Sequence, residues 1–223
     1  MAEKLVSFTT CPYVQRALLV LREKGLDNEV IYIDPEDRPD WFWDKSPRGK
    51  VPLLMVDDVA LFESQAICEY LEEAHPEPAL LPTKLVERAR DRAWFGFAGE
   101  ELFVPLYKMI TSSSPTRFGR AVDELEAGLA KLQKEKGERP WLSGDGSRFG
   151  MADVAAAPIF SRLAVLEKLG AYRLPDKLAD IRDWGARIMA RPAMQAAIPD
   201  AFEVDLLAKM KEQGSVALDA GQA

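Results

Sequence analysis

Leu5-Val6-Ser7-Phe8-Thr9-Thr10-Cys11-Pro12-Tyr13-Val14-Gln15-Arg16 is the stretch whose reading decides the fold. Leu5–Phe8 is a short apolar run that reads as a strand, and Pro12–Lys24 as a helix. Pro12 suits the first helical position, where a missing N–H costs nothing. Gly25 suits the C′ position that stops the helix. Cys11 then falls at the N-cap, facing unpaired backbone N–H groups and the positive end of the helix dipole. Such a placement stabilises a thiolate and can lower a cysteine pKa from ~8.5 to roughly 3.5–7.5. Cys11 is therefore the candidate nucleophile. The alternative is a small buried apolar residue that happens to precede a proline.

Outward from this stretch, Val30–Ile33 reads as a second buried strand and Pro39–Lys45 as a short helix or turn. Val51–Val56 enters a third strand, Asp57-Asp58 makes a turn, and Val59–Phe62 completes a hairpin. Ser64 then caps a helix reaching Ala74. Alternating strand and helix define a mixed α/β unit over residues 1–78. Pro76-Glu77-Pro78 and Leu81-Pro82 mark a break, and 79–84 reads as a linker. From Leu85 the periodicity is helical, with Phe118, Val122, Leu125, Leu129 and Leu132 tracing one apolar stripe. Residues 85–223 are expected to form an all-helical domain, with helices over Met151–Leu169 and Pro175–Ala190. The small, polar tail Gly214–Ala223 is expected to fray.

A composition of 48% hydrophobic and 29% charged residues is that of an ordinary globular protein. The net charge is −7 and the basic residues are dispersed, which argues against a nucleic-acid partner. No apolar run approaches the roughly 18–20 residues that would span a bilayer. Met1-Ala2-Glu3-Lys4 lacks the pattern of a signal peptide, so the expected location is cytoplasmic. Two cysteines and one histidine are too few ligands for a Cys/His zinc site, and no metal is expected. His75, at the end of the Ser64–Ala74 helix, is expected to stabilise terminal carbonyls. Cys68, beside Ile67 and Leu71, is expected to pack as a small hydrophobe.

The β-α-β-α-β-β-α order with Cys11-Pro12-Tyr13 at the first helix resembles the thioredoxin fold. A following all-helical domain narrows the resemblance to the soluble glutathione transferases. Cys11–Arg16, Arg38-Pro39-Asp40-Trp41-Phe42, Val51-Pro52 and Glu63–Leu71 are similar to the omega class. The cysteine-type lambda and dehydroascorbate-reductase relatives are also similar. Phe149-Gly150-Met151-Ala152-Asp153 resembles the capping motif of the helical domain, with Gly150 where Ser or Thr is usual. Asp153 can still accept from the Gly150 N–H, while Phe149 and Val154 keep the positions of a hydrophobic staple.

Val14 stands where a Cys-x-x-Cys site would carry its second thiol, so Cys11 has no adjacent resolving partner. A mixed disulfide with a small thiol, resolved by a second thiol molecule, is the chemistry left open. The resemblance implies that glutathione is that thiol, acting as cosubstrate. It implies that Pro12 and Tyr13 shape the Cys11 turn and that Val51-Pro52 forms a cis-proline turn presenting backbone to the cysteinyl unit. Glu63 would meet the γ-glutamyl ammonium, and Ser64 with its helix N–H groups the carboxylate. Arg38 would approach the glycyl carboxylate, with Lys50 as a second basic candidate. The implied reaction is thiol transfer or reductive deglutathionylation of a small electrophilic or disulfide substrate, by a homodimer. A non-catalytic regulatory or stress-response scaffold of the same fold is the alternative. Trp94, Phe95, Phe97, Phe103 and Tyr107 either line the acceptor pocket or pack the core.

Overall fold

In a computed structural model, which describes residues 3–219, the apolar runs of the first third become one four-stranded sheet. Its strands are β1 (Glu3–Ser7), β2 (Glu29–Tyr32), β3 (Leu53–Val56) and β4 (Val59–Phe62), in the order β2-β1-β3-β4. β1 runs parallel to β2, pairing Leu5 with Val30, and antiparallel to β3, pairing Leu5 with Leu54. The hairpin turns at Asp57, whose φ of 50° is the left-handed conformation that Asp tolerates. Leu5, Val6, Leu53 and Leu54 are fully buried, so both faces of the central strands are covered, and α1 (Pro12–Glu23) packs against α3 (Ser64–Ala74). A short α2 (Asp40–Lys45) lies between β2 and β3, anchored by buried Phe42.

α1 begins with Cys11 as N-cap and Pro12 at its first position, and Gly25 closes it at φ 68°. α3 ends at the cap residue His75, whose carbonyl is held by Lys24: Nζ donates to the carbonyls of His75 (2.6 Å) and, in the following turn, Pro78 (3.1 Å). The His75 ring instead meets the Glu3 carboxylate at 3.2 Å. Cys68 is fully buried in the core, and burial pushes its thiol up to about 12.

The helical part starts with α4 (Leu85–Phe97), which widens into a π-helical segment (Ala98–Phe103) and continues as α5 (Val104–Thr111). α6 (Pro115–Lys136) crosses this segment closely. A Cβ on Gly128 would stand 2.7 Å from the Glu101 carbonyl, so only glycine fits there. The single helix expected over Met151–Leu169 is two: α7 (Met151–Ala156) and α8 (Pro158–Lys168), because Pro158 lacks the N–H needed to continue the first. α9 (Ala179–Met189), α10 (Pro192–Ala196) and α11 (Phe202–Glu212) complete the helices.

The Gly150 departure has a steric cause. A side chain there would press on the Leu80 carbonyl, 2.6 Å from an ideal Cβ. Asp153 compensates by accepting four N–H bonds, from Gly150 (3.1 Å), Leu142 (2.8 Å), Ser143 (3.2 Å) and Trp184 Nε1 (2.9 Å). The tail does not fray over its described part. The Val216 N–H donates to the Ser112 carbonyl at 2.9 Å and Ala217 is buried, whereas residues 220–223 lie outside the described region. Among the described residues no helix is long and apolar enough to cross a membrane.

Candidate active site

The end of β1, the first turn of α1 and the Val51–Pro52 bond converge on Cys11. The bond is cis, and the Cys11 Sγ lies 4.0 Å from the Val51 carbonyl oxygen. On one side opens a cavity of about 370 Å³ whose wall includes Tyr13, Arg48, Lys50, Pro52, Glu63 and Ser64. Ser64 opens α3, so its side chain and the unpaired N–H groups of that first turn can together hold an anion. Glu63, just before the helix, has φ 68°, an uncommon conformation for a residue other than glycine, and it sets the side chain on the cavity rim.

Of the residues singled out in the sequence, Cys11, Tyr13, Lys50, Val51, Pro52, Glu63 and Ser64 are brought together here, with Pro12 fixing the turn. Arg38 is not on this wall. Its guanidinium donates to the Gly49 carbonyl at 2.9 Å, lies over the Trp43 ring, and faces a second cavity of about 840 Å³. Arg48, which the sequence reading passed over, donates to Glu63 at 2.7 Å. Both side chains of that pair are more than half exposed, so it is a weak surface contact that a ligand ammonium can displace.

The second cavity runs between the β1–α1 turn and α11, past Thr9, Thr10, Tyr107 and Lys209. Thr9 Oγ1 donates to Asp205 at 2.6 Å and bridges the two halves of the chain. Phe103 and Tyr107 line the space beside Cys11, whereas Trp94 and Phe97 stack edge-to-face on each other at 4.9 Å and Phe95 is buried under Arg16. Only part of the aromatic set thus reaches the cleft.

Burial, rather than the helix terminus, governs the Cys11 thiol. Desolvation pushes its pKa above the ordinary cysteine value. The Val14 and Tyr13 N–H groups and the charges of Arg162 and Lys209 pull it down, without offsetting burial. The lowered pKa expected from the N-cap position is therefore corrected. The sequence shows the helix end but not the α8 and α11 side chains packed over it. Among the described residues no group of three or more His, Cys, Asp or Glu is gathered to hold a metal ion.

A thioredoxin-like sheet whose cis-proline faces the first helix terminus, joined to an all-helical domain, defines a soluble glutathione transferase architecture. Residues 5–79 match the family model "Glutathione S-transferase, N-terminal domain" and residues 85–193 match "Glutathione S-transferase, C-terminal domain". Glutathione S-transferase omega-1 of Sus scrofa is 33% identical over 196 residues, covering 86% of this chain and 79% of its own. Glutathione S-transferase DHAR2 of Arabidopsis thaliana is 30% identical over 190 residues, covering 83% and 82%. The structure of rice GST1 in complex with glutathione superposes with a TM-score of 0.84 at 24% identity, over 95% of this chain and 98% of that one, which shows the shared fold. The chain belongs to the glutathione transferase family and is an enzyme of that kind.

Proposed function

We propose that this enzyme is a glutathione-dependent thiol transferase that works through Cys11. Glutathione occupies the cavity beside Ser64, with its γ-glutamyl carboxylate on the first turn of α3 and its ammonium on Glu63. Its glycyl carboxylate lies toward Lys50. The observation that carries the reading is a cysteine, not a hydroxyl, at the α1 terminus beside the cis-proline carbonyl. The other cysteine is sealed in the core, so Cys11 has no resolving thiol within the chain.

The Cys11 thiolate attacks the glutathionyl sulfur of a mixed disulfide RS–SG. The S–S bond breaks, a Cys11–SG disulfide forms, and RS⁻ leaves and takes up a proton. The thiolate of a second glutathione attacks the glutathionyl sulfur, releasing glutathione disulfide and restoring Cys11. In sum, RS–SG and one glutathione give RSH and glutathione disulfide. A hydroxyl at this position holds a glutathione thiolate without competing with it, whereas a thiol attacks in its own right. Cys11→Ser is expected to abolish turnover of glutathione mixed disulfides while leaving the fold intact. Whole-protein mass spectrometry of the parent, caught without free glutathione, is expected to show one added glutathionyl group, absent in Cys11→Ser. Retained turnover in that variant overturns the proposal.

The working form is proposed to be a cytoplasmic homodimer. Leu85 and Val86, adjacent at the start of α4, are large apolar side chains exposed in the single chain, which supports a partner surface there. A sedimentation mass of one chain at micromolar concentration counts against it.

A further inference from the structure

Arg162 lies on α8, inside an apolar helix, and its side chain is almost wholly buried. Buried charges are ordinarily paired with an opposite charge, because desolvating an ion costs several kcal/mol. Every partner of Arg162 is neutral. Nη2 donates to the Thr10 carbonyl at 2.9 Å, and Nη1 donates to the Pro158 carbonyl at 2.7 Å, to Ser161 Oγ at 3.0 Å and to the Gln15 side-chain oxygen. The Phe202 ring covers its guanidinium at 4.9 Å. Thr10 and Gln15 stand on either side of Cys11 along the chain. The guanidinium thus grips the first turn of α1 at both ends while its charge is left uncancelled.

We propose that Arg162 is a positioning residue that supplies the fixed counter-charge of the Cys11 thiolate; this rests on Cys11 being the nucleophile. The titratable groups around Cys11 are Tyr13 and Arg16, which follow it on α1, and Arg162 from α8 and Lys209 from α11, which line one small space with Thr10 and Pro12. The Val51 segment presents a neutral carbonyl, and Asp205 on α11 is engaged by the Thr9 hydroxyl. Arg16 is directed elsewhere, to the carbonyls of Ala155 and Phe95 and to Ser64. Lys209 is half-exposed over the Tyr107 ring, where salt screens it. Arg162 is almost wholly buried and fixed by four hydrogen bonds, so salt screens its charge less than that of Lys209. The coupling is reciprocal. Burial lowers the Arg162 pKa to about 10, and Cys11 is the titratable group that pulls it back up.

The test is the pH dependence of Cys11 alkylation by iodoacetamide, followed peptide by peptide, in the parent, Arg162→Lys and Arg162→Gln. Arg162→Gln is expected to move the midpoint up by about one pH unit, so that alkylation at a fixed pH below it slows about tenfold. Arg162→Lys, which keeps the charge, is expected to move it less than half as far. A lost bond to Thr10 alone would loosen the turn equally in both variants. Equal shifts, or none in Arg162→Gln, therefore overturn the counter-charge. Should Arg162→Gln not fold, the parent still decides. Its midpoint is expected to stay put between about 0.05 and 1 M potassium chloride, and a rise of about half a unit would assign the effect to solvent-facing cations instead. Alkylation does not depend on turnover, so the two proposals fail separately. Turnover by Cys11→Ser removes the nucleophile assignment, whereas an inactive Cys11→Ser beside an unshifted Arg162→Gln removes only the counter-charge.

Discussion

The pH of the reaction medium is the sharpest probe of this site, because the helix-terminus rule and the structure give opposite expectations. An activated cysteine with a pKa near ~6 would be almost fully ionised at neutral pH, and its rate would be nearly level above pH 7. The structure instead pushes the Cys11 thiol above its ordinary value. Even an ordinary thiol near ~8.5 is only about 3% ionised at pH 7, and below its pKa the thiolate fraction grows about tenfold per unit. Attack by Cys11 in the free enzyme is thus expected to accelerate about a hundredfold from pH 6 to pH 8. The assay is single-turnover release of the leaving thiol from a glutathione mixed disulfide, with enzyme in excess, beside iodoacetamide labelling of Cys11. Cys68 does not interfere, since it is fully buried with its thiol pushed up to about 12. A rate that changes less than about twofold between pH 7 and 8 would mean the thiolate is already formed, as a lowered pKa implies. The helix terminus and the nearby cations would then outweigh burial at Cys11, contrary to the structure.

The same two thiols predict an alkaline weakness. The folded chain holds their protons more tightly than the unfolded one, so stability is whole below about pH 8.5 and falls above it, and Cys68→Ala makes urea midpoints fall less steeply there. Glu63→Ala is expected to weaken glutathione binding more than tenfold by calorimetry, one decade being ~1.4 kcal/mol, and parent-like affinity would remove Glu63 from the site. Lys50→Ala is expected to weaken glutathione more than Arg38→Ala, and more at low salt than at high, because Lys50 is on the cavity wall and Arg38 is not. Asp153→Asn keeps the shape but its single oxygen cannot serve four N–H donors. Two orphaned donors at about 1–3 kcal/mol each give a loss of about 2–6 kcal/mol in urea unfolding, and a loss under about 1 kcal/mol would refute that count.

Most of the fold was legible because its signals are local. Pro12 and Gly25 bracket α1, Asp57-Asp58 turns the hairpin, and Ser64 opens α3, each where the residue's own backbone preferences act. What the sequence did not report has a different cause. Helical periodicity runs unbroken through Met151–Leu169, but Pro158 interrupts the hydrogen-bond ladder that periodicity does not report. The place of Arg38 is set at Gly49, whose φ of 57° and close approach to the Trp43 ring shape the loop so that Arg38 meets the Gly49 carbonyl and Arg48 meets Glu63. Nothing in the spacing of two arginines reports that turn.

The charges at the site follow a pattern that the net charge of −7 conceals. Buried carboxylates in this chain are fully engaged in holding the fold. Asp153 accepts four N–H bonds, Glu72 takes the Leu80 and Leu81 N–H groups with Lys24, and Asp91 binds Ser143 and Gly144. The buried guanidiniums of Arg16 and Arg162 are handled in the reverse way, by carbonyl oxygens and aromatic faces that satisfy their hydrogens without cancelling their charge. Both lie against the first turns of α1, one toward Ser64 and the other toward Thr10. Each arginine sits in a largely apolar stretch of its helix, a costly placement unless something opposes the charge. An acidic protein thus keeps uncancelled positive charge beside the first turns of α1, where the proposed function requires a thiolate and a tripeptide with two carboxylates and one ammonium.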